Sequence, residues 1–175
     1  MKTLKIVIIS SFGAGKTTFI ETAKQLGANS TLQNERTDPD LQQLTSIATD
    51  QCEIHFDEDM RLYLFGVPSQ QRFDFIWDII ENKSHGFIIL FDSSKPETFF
   101  ETRKMIDLVY GKTHAPYIVA ANPTNPEFAW EEVALRNALK LSSQIKFVTC
   151  DATDRDSVKN TILDMLYEIL SKIEN

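Results

Sequence analysis

Residues 10–18 read Ser-Ser-Phe-Gly-Ala-Gly-Lys-Thr-Thr and constrain the fold more than any other stretch of the chain. They follow an apolar, strand-like run and open a helix-like run, which is the strand–turn–helix setting of a phosphate-binding P-loop. Gly13 and Gly15 let successive backbone N–H groups converge on one phosphate. The helix that begins near Lys16 adds its positive amino-terminal end. Ser10 stands where this motif usually has glycine, and a small residue there still allows the turn.

The side chains of this loop predict nucleotide chemistry. Lys16 supplies a point charge to the β- and γ-phosphates, and the Thr17 hydroxyl is a ligand for Mg²⁺. We therefore expect the chain to bind a nucleoside di- or triphosphate together with Mg²⁺. The residues of the loop predicted to hold this nucleotide are Phe12, Gly13, Ala14, Gly15, Lys16, Thr17 and Thr18.

Length and composition indicate one soluble domain over residues 1–175. A content of 42% hydrophobic and 25% charged residues is ordinary for a globular protein of 175 residues. The net charge of −7 argues against a nucleic-acid partner. Cys52 and Cys150 lack metal-type spacing, which favours reduced thiols in the cytoplasm. No apolar run reaches membrane-spanning length and no lipidation motif is visible, so we expect no direct membrane anchor.

Strand and helix signals alternate along the whole chain, which predicts an α/β fold with a mostly parallel sheet. The exception is a hairpin, in which alternating residues at 52–56 turn through three acidic residues and return at 61–65. We predict a six-stranded sheet with one antiparallel edge strand and helices on both faces. Ligands bind beyond the carboxyl ends of the strands in such sheets. Residues 28–50 are polar, contain Pro39 and show no period, so they are predicted to be a long, mobile, functional loop.

A second stretch, residues 66–73, reads Gly-Val-Pro-Ser-Gln-Gln-Arg-Phe. It resembles the switch II segment of Ras-like small GTPases, and more closely that of prokaryotic Ras-like GTPases of the gliding-motility and cell-polarity type. Residues 12–18, 91–94 (Phe-Asp-Ser-Ser) and 150–155 (Cys-Asp-Ala-Thr-Asp-Arg) are similar to the same group. The resemblance covers nearly the whole chain and implies the P-loop small-GTPase fold.

The resemblance implies roles for three further positions. Gln70 would position the attacking water and act in catalysis together with Lys16. Ser46 would take the switch I hydroxyl role and close on Mg²⁺ and the γ-phosphate. The neighbouring Thr45 is the other candidate for this hydroxyl. Alternatively, this segment is a polar loop that binds no ligand.

Residues 151–153, Asp-Ala-Thr, match the family's Ser-Ala-Lys loop, whose central backbone N–H reaches the oxygen of the base. Ala152 and Thr153 are therefore assigned to nucleotide binding. Thr153 also suits the cap of the last helix, with Asp154 and Asp156 favourable in its first turn. The two roles of Thr153 are compatible.

The base-specificity motif Asn-Lys-x-Asp appears here as Asn122, Pro123, Thr124 and Asn125. Asn122 can bond the base or the neighbouring loops. Pro123 lays neither an aliphatic stem nor an ammonium over the ring. Asn125, which also suits a helix cap before Pro126, has one acceptor oxygen where a carboxylate has two. Loss of such a bidentate pair typically costs ~2–4 kcal/mol, or roughly one to three decades in affinity. Guanine preference is thereby in question, and a base such as xanthine becomes an option.

Two further departures concern switch II. Gly66 stands where the family has an aspartate, and Ser69 where it has a glycine whose N–H meets the γ-phosphate. A serine N–H has less conformational freedom for that contact. Both departures put in question whether the protein switches between an on state and an off state.

Three functions compete. The first is a GTP/GDP switch with Mg²⁺ that hydrolyses GTP slowly and regulates a protein partner, by analogy a roadblock/longin-type GTPase activator, through residues 28–50 and 66–80. Arg36 and Arg72 are the only nearby arginines in the chain. The second is a pseudo-GTPase interaction module with relaxed or lost guanine specificity. The third, a small P-loop kinase or ATPase, fits the P-loop alone and needs an arginine-bearing lid that the chain lacks.

Overall fold

A six-stranded sheet organises the chain in the computed structural model, which describes residues 2–27, 38–56, 58–68 and 73–175, with the backbone alone at 73–76. The strand order is β2-β3-β1-β4-β5-β6. The strands are β1 (Lys2–Ser10), β2 (Asp50–His55), β3 (Met60–Gly66), β4 (Gly86–Phe91), β5 (Tyr117–Ala121) and β6 (Phe147–Thr149). Every neighbouring pair is parallel except β2 with β3. The prediction of a mostly parallel sheet with one antiparallel edge strand is confirmed.

Helices cover both faces of the sheet, as predicted. They are α1 (Lys16–Ala23), α2 (Pro39–Ile47), α3 (Phe73–Ile80), α4 (Phe99–Lys112), α5 (Glu132–Ala138) and α6 (Arg155–Ile173). Alternate residues of β1 point to opposite faces: Ile6 and Ile8 pack with α1 and α6, whereas Val7 and Ile9 pack with the other helices. Both faces of the central strands are thus buried, which is why these strands read as continuous apolar runs.

The prediction of an irregular loop over residues 28–50 is wrong for residues 39–47, which form α2. Asp38 caps this helix, since its carboxylate accepts from the backbone N–H of Asp40 at 2.9 Å, and Pro39 occupies the first turn. Leu41 and Leu44 are buried and supply the apolar face. With Ile47 these make three apolar positions at intervals of three, which is too short a run to stand out as a helical period in a polar stretch. Residues 28–37 lie outside the described part of the chain.

The cap of α6 is Asp154, not Thr153. The Asp154 carboxylate accepts from the backbone N–H of Ser157 at 2.9 Å. The Thr153 hydroxyl instead donates to Asp151 at 2.6 Å. A threonine and an aspartate side by side both favour capping, and the backbone placed the aspartate at the helix boundary.

The two cysteines are free and buried, in agreement with the prediction of unpaired thiols. Burial raises the pKa of the Cys52 thiol to about 12, so the reactive thiolate is suppressed there.

Candidate functional site

The P-loop connects β1 to α1 at the carboxyl edge of the sheet. Gly13 has φ 72° and Gly15 has φ 96°, in the left-handed region that glycine tolerates. At Gly15 space is limiting as well, because a β-carbon there would collide with Nδ2 of Asn122. The loop lines a cavity of 360 Å³ formed by Ser10 and residues 12–18.

The amino terminus of α1 fits an anion. Gly15 precedes the helix without a capping side-chain hydrogen bond, and no acidic residue lies in the first turn. The helix itself therefore supplies no group that neutralises its positive end. The residues present fit the phosphate group that the motif predicts.

Lys16 reaches from α1 across the sheet to the ends of β3 and β2. Its ammonium donates to the carbonyl oxygen of Val67 at 2.6 Å and to the Thr49 hydroxyl at 3.1 Å. Burial lowers the pKa of Lys16, and attraction to the Asp50 carboxylate opposes that shift. The lysine that the motif assigns to phosphate is thus also hydrogen-bonded to residues next to β2 and β3.

Thr17 meets a carboxylate that sequence reasoning missed. Its hydroxyl donates to Oδ2 of Asp50 at 3.1 Å, and the Thr49 hydroxyl lies 3.1 Å from the same oxygen. Thr49 is held in turn by the backbone of Gly66, whose carbonyl accepts its N–H at 2.8 Å. The available sequence signal was the pair Thr49 and Asp50 just before the strand at 52–56. It was missed because residues 28–50 had been interpreted as a single loop.

Ser46 is not beside Thr17 in this structure. It lies exposed in the last turn of α2, and its hydroxyl donates to the carbonyl oxygen of Gln43 at 2.6 Å. The hydroxyl of its rival, Thr45, is buried and has no hydrogen-bond partner in the described part of the chain. The hydroxyl that the structure brings to Lys16 is that of Thr49. The metal-ligand role of Ser46 stays a prediction.

Packing explains why a glycine occupies position 66. A β-carbon on Gly66 would lie 2.7 Å from Cδ1 of Ile20 and 3.2 Å from Cδ of Lys16. The stem of the P-loop lysine therefore runs across Gly66. A side chain at this position would require Ile20 and the stem of Lys16 to shift.

Asn122 joins the P-loop to the loop at 151–153. Its Nδ2 donates to the carbonyl oxygen of Ala14 at 2.8 Å, and its Oδ1 accepts from the backbone N–H of Ala152 at 3.2 Å. The Ala152 carbonyl accepts from Thr22 at 2.6 Å. Of the two roles open to Asn122, the structure shows the contact between loops.

Asn125 and Thr124 lie beside a buried carboxylate, Asp92. Thr124 contacts Asp92 through its hydroxyl and its backbone N–H, and the N–H of Ser94 donates to Asp92 at 2.9 Å. Although burial raises the pKa of Asp92, these hydrogen bonds from Ser94 and Thr124 outweigh it and lower the pKa overall. Asn125 itself is exposed and precedes the short helical turn at Pro126–Phe128 without capping it through its side chain.

The remaining predicted residues lie at the periphery or outside the described chain. Phe12 is 70% exposed at the mouth of the P-loop, and Thr18 is exposed on α1. Gln70, Ser69 and Arg72 fall outside the described residues, as does the whole segment at 28–37 with Arg36.

Comparison with known proteins gives one family. The sequence pattern of the Ras family matches residues 5–171. The chain is similar to Ras-related protein Rab-12 of Mus musculus, Rattus norvegicus and Homo sapiens, at 25% identity over 119 residues in each case. The matched region is 65% of this chain and 48–49% of those proteins, so the chain spans about half the length of the curated relatives it matches.

Two further findings concern the residues that the structure describes. No group of three or more His, Cys, Asp or Glu side chains there could hold a metal ion. None of the helices in that part of the chain combines the length and apolarity needed to cross a membrane.

We predict that Gly66→Ala lowers the free energy of unfolding by about 1–3 kcal/mol, because the new methyl group overpacks against Ile20 and Lys16. Urea denaturation measures the change. Gly111→Ala is the matched control: nothing lies within 4 Å of a β-carbon at this α4 position, so stability should stay equal or rise by up to about 1 kcal/mol. Equal stability of Gly66→Ala and wild type would contradict the packing explanation.

Proposed function

The chain belongs to the Ras family, and on that premise we propose that it is a nucleotide-dependent switch that binds GTP and GDP with Mg²⁺, hydrolyses GTP slowly and regulates a protein partner. The observation that carries the proposal is the convergence of Lys16 and Thr17 of the P-loop with Thr49 and Asp50 of the β2 edge. The two groups of residues come from different parts of the chain and meet at the phosphate cavity.

We further propose that the chain is of the prokaryotic gliding-motility and cell-polarity type. The support is the sequence at 66–73, with glycine for aspartate at position 66, and the Phe-Asp-Ser-Ser run at 91–94. In this structure the side chain of Ile20 and the stem of Lys16 occupy the space beside Gly66. A cytoplasmic location is part of the same proposal.

Each residue of the site has a role suited to its chemistry. The P-loop N–H groups and the Lys16 ammonium bind the phosphates, and Thr17 supplies a hard oxygen ligand for the metal. Asp50 supplies the carboxylate that Gly66 cannot, since Asp50 lies 3.1 Å from the Thr17 hydroxyl. Mg²⁺, when bound, neutralises charge on the phosphate oxygens.

The hydrogen bonds of Lys16 couple the phosphate site to the switch segments. Its present acceptors are Val67, at the start of the switch II stretch, and Thr49, just after α2. Phosphate oxygens compete with these acceptors for the same ammonium. Occupancy of the site therefore changes the contacts at the ends of segments 28–50 and 66–80, which a partner reads. A roadblock/longin-type regulator is the proposed class of partner, by analogy.

Gln70 is proposed to orient the attacking water, and Lys16 to stabilise charge on the phosphate. The chain has Arg36 and Arg72 as the arginines nearest to the switches in sequence, and no further one is assigned to the reaction. We expect a slow intrinsic rate that a partner accelerates. A pseudo-GTPase interaction module is the outcome if nucleotide binding fails.

We expect fluorescent GTP and GDP to bind with micromolar or tighter affinity in the presence of Mg²⁺, and ATP far more weakly. Lys16→Ala should weaken binding at least about 100-fold, because it removes a charge-assisted contact to phosphate. Equilibrium titration with GTP, GDP, ATP and XTP measures this, and Lys104→Ala is a control cation on α4. Absence of binding to all four would contradict the switch and favour the interaction module.

Asp50→Asn should raise the Mg²⁺ concentration that half-saturates GTP binding by about tenfold, because a carboxylate binds a hard cation better than a carboxamide does. Affinity for GDP without Mg²⁺ should not fall. A Mg²⁺ titration at fixed GTP separates the two effects, with Asp164→Asn on α6 as the matched control. An unchanged Mg²⁺ requirement would remove Asp50 from the metal site.

Gln70→Leu should slow hydrolysis of bound GTP about tenfold or more while leaving GTP affinity nearly unchanged, since the amide acts on the water and not on the phosphate binding. Single-turnover assays with the neighbouring Gln71→Leu as control test this. Equal rates for Gln70→Leu and wild type would show that Gln70 takes no part in the reaction.

A further inference from the structure

Lys95 places a second ammonium at the P-loop. It follows β4, and its Nζ lies 3.8 Å from the position that a β-carbon on Gly13 would take. The same Nζ lies 3.5 Å from Oδ2 of Asp92, and 43% of the Lys95 side chain is exposed. The cation therefore spans the gap between the loop after β4 and the P-loop, where part of it faces solvent.

The strand order places Lys95 and Lys16 on opposite sides of the P-loop. The P-loop follows β1, which has β3 and then β2 on one side and β4, β5 and β6 on the other. Lys16 contacts the β2–β3 side, where Thr17 and Asp50 lie. Under the proposed function that side takes the terminal phosphates and the metal. The nucleoside then extends toward β4 and β5, the side from which Lys95 reaches the loop.

Lys95 is held in place before any ligand arrives. Asp92 is fully buried, and Ser94 and Thr124 occupy both of its carboxylate oxygens. The backbone N–H of Lys95 donates to the Asp92 carbonyl at 3.2 Å, and the Lys95 carbonyl accepts from Thr98 at 3.0 Å. A fixed backbone and a buried counter-ion lower the entropic cost of using this side chain in binding.

An ammonium carries three N–H donors and no acceptor. One contact of Lys95 goes to Asp92, which leaves donors for a ligand. The neighbouring positions offer less, because Pro123 has no donor and the Ala152 N–H already bonds Asn122. We propose that Lys95 is a nucleoside-binding residue that donates to an acceptor oxygen on the ribose or the base, and so replaces the ammonium absent at position 123. This inference rests on the proposed nucleotide site.

Lys95→Met tests it, because methionine keeps an unbranched stem of similar length and removes the charge. We expect the Kd for GDP to rise about tenfold, as for loss of one charge-assisted hydrogen bond. Affinity for inorganic pyrophosphate, measured by competition, should stay within about twofold, since that probe has no nucleoside. Lys95→Arg should retain most of the GDP affinity, and Lys104→Met is the control for loss of an exposed cation.

Parallel titration with ADP identifies the acceptor. Adenine has an amino group where guanine has a carbonyl oxygen, whereas the ribose is common to both. A loss confined to GDP assigns the contact to the base, and an equal loss for GDP and ADP assigns it to the ribose; both support the proposal.

Two results would overturn it: unchanged GDP affinity in Lys95→Met, or an equal loss for GDP and pyrophosphate, which would make Lys95 a phosphate ligand. Thermal unfolding of each variant confirms folding, and Lys95→Gln serves if Lys95→Met does not fold. The proposed function fails separately, when wild type binds neither GDP nor pyrophosphate.

Discussion

The functional edge of this protein depends on one buried carboxamide. Asn122 bonds Ala14 with one end and Ala152 with the other, so the P-loop and the loop after β6 hold a fixed separation. Gly15 makes this contact sterically feasible, because any side chain there would displace the Asn122 amide. A single polar group thereby fixes the relative positions of loops that follow β1, β5 and β6. Buried amides with both ends satisfied are rigid, which suits a site that has to be formed before its ligand binds.

The path of Lys16 imposes the second constraint. Its stem crosses Gly66, so a side chain at the end of β3 would have to displace it, and its ammonium ends between Val67 and Thr49. Negative charge near Thr17 comes from Asp50 of β2, the antiparallel edge strand. The edge strand follows α2 directly, so the residues that contact Lys16 and Thr17 lie next to this helix in the chain.

A second lysine, Lys95, contributes a positive charge on the other side of the P-loop. Position 123 is proline, and Lys95 brings an ammonium to Gly13 from the preceding β4 loop. Asp92, which is buried and hydrogen-bonded by Ser94 and Thr124, forms an ion pair with this lysine. Pro123 replaces the lysine of the base-specificity motif, and Lys95 supplies an ammonium near the P-loop from another part of the chain. Residue-by-residue matching to a motif misses such exchanges, because it compares positions along the chain and not positions around a ligand.

The sequence by itself determined the P-loop, the six strands with their antiparallel pair, and the helices on both faces, because glycine spacing and apolar runs are local properties of the chain. It did not determine α2, whose two buried leucines form no visible period, or the cap of α6, where Thr153 and Asp154 compete within one residue. Tertiary structure alone decided that Thr49 and Asp50 meet Lys16 and Thr17, that Gly66 lies under a lysine stem, and that Lys95 reaches Gly13. These contacts join residues 33 to 82 positions apart, and strand order and register, which no local pattern encodes, set which of them come together.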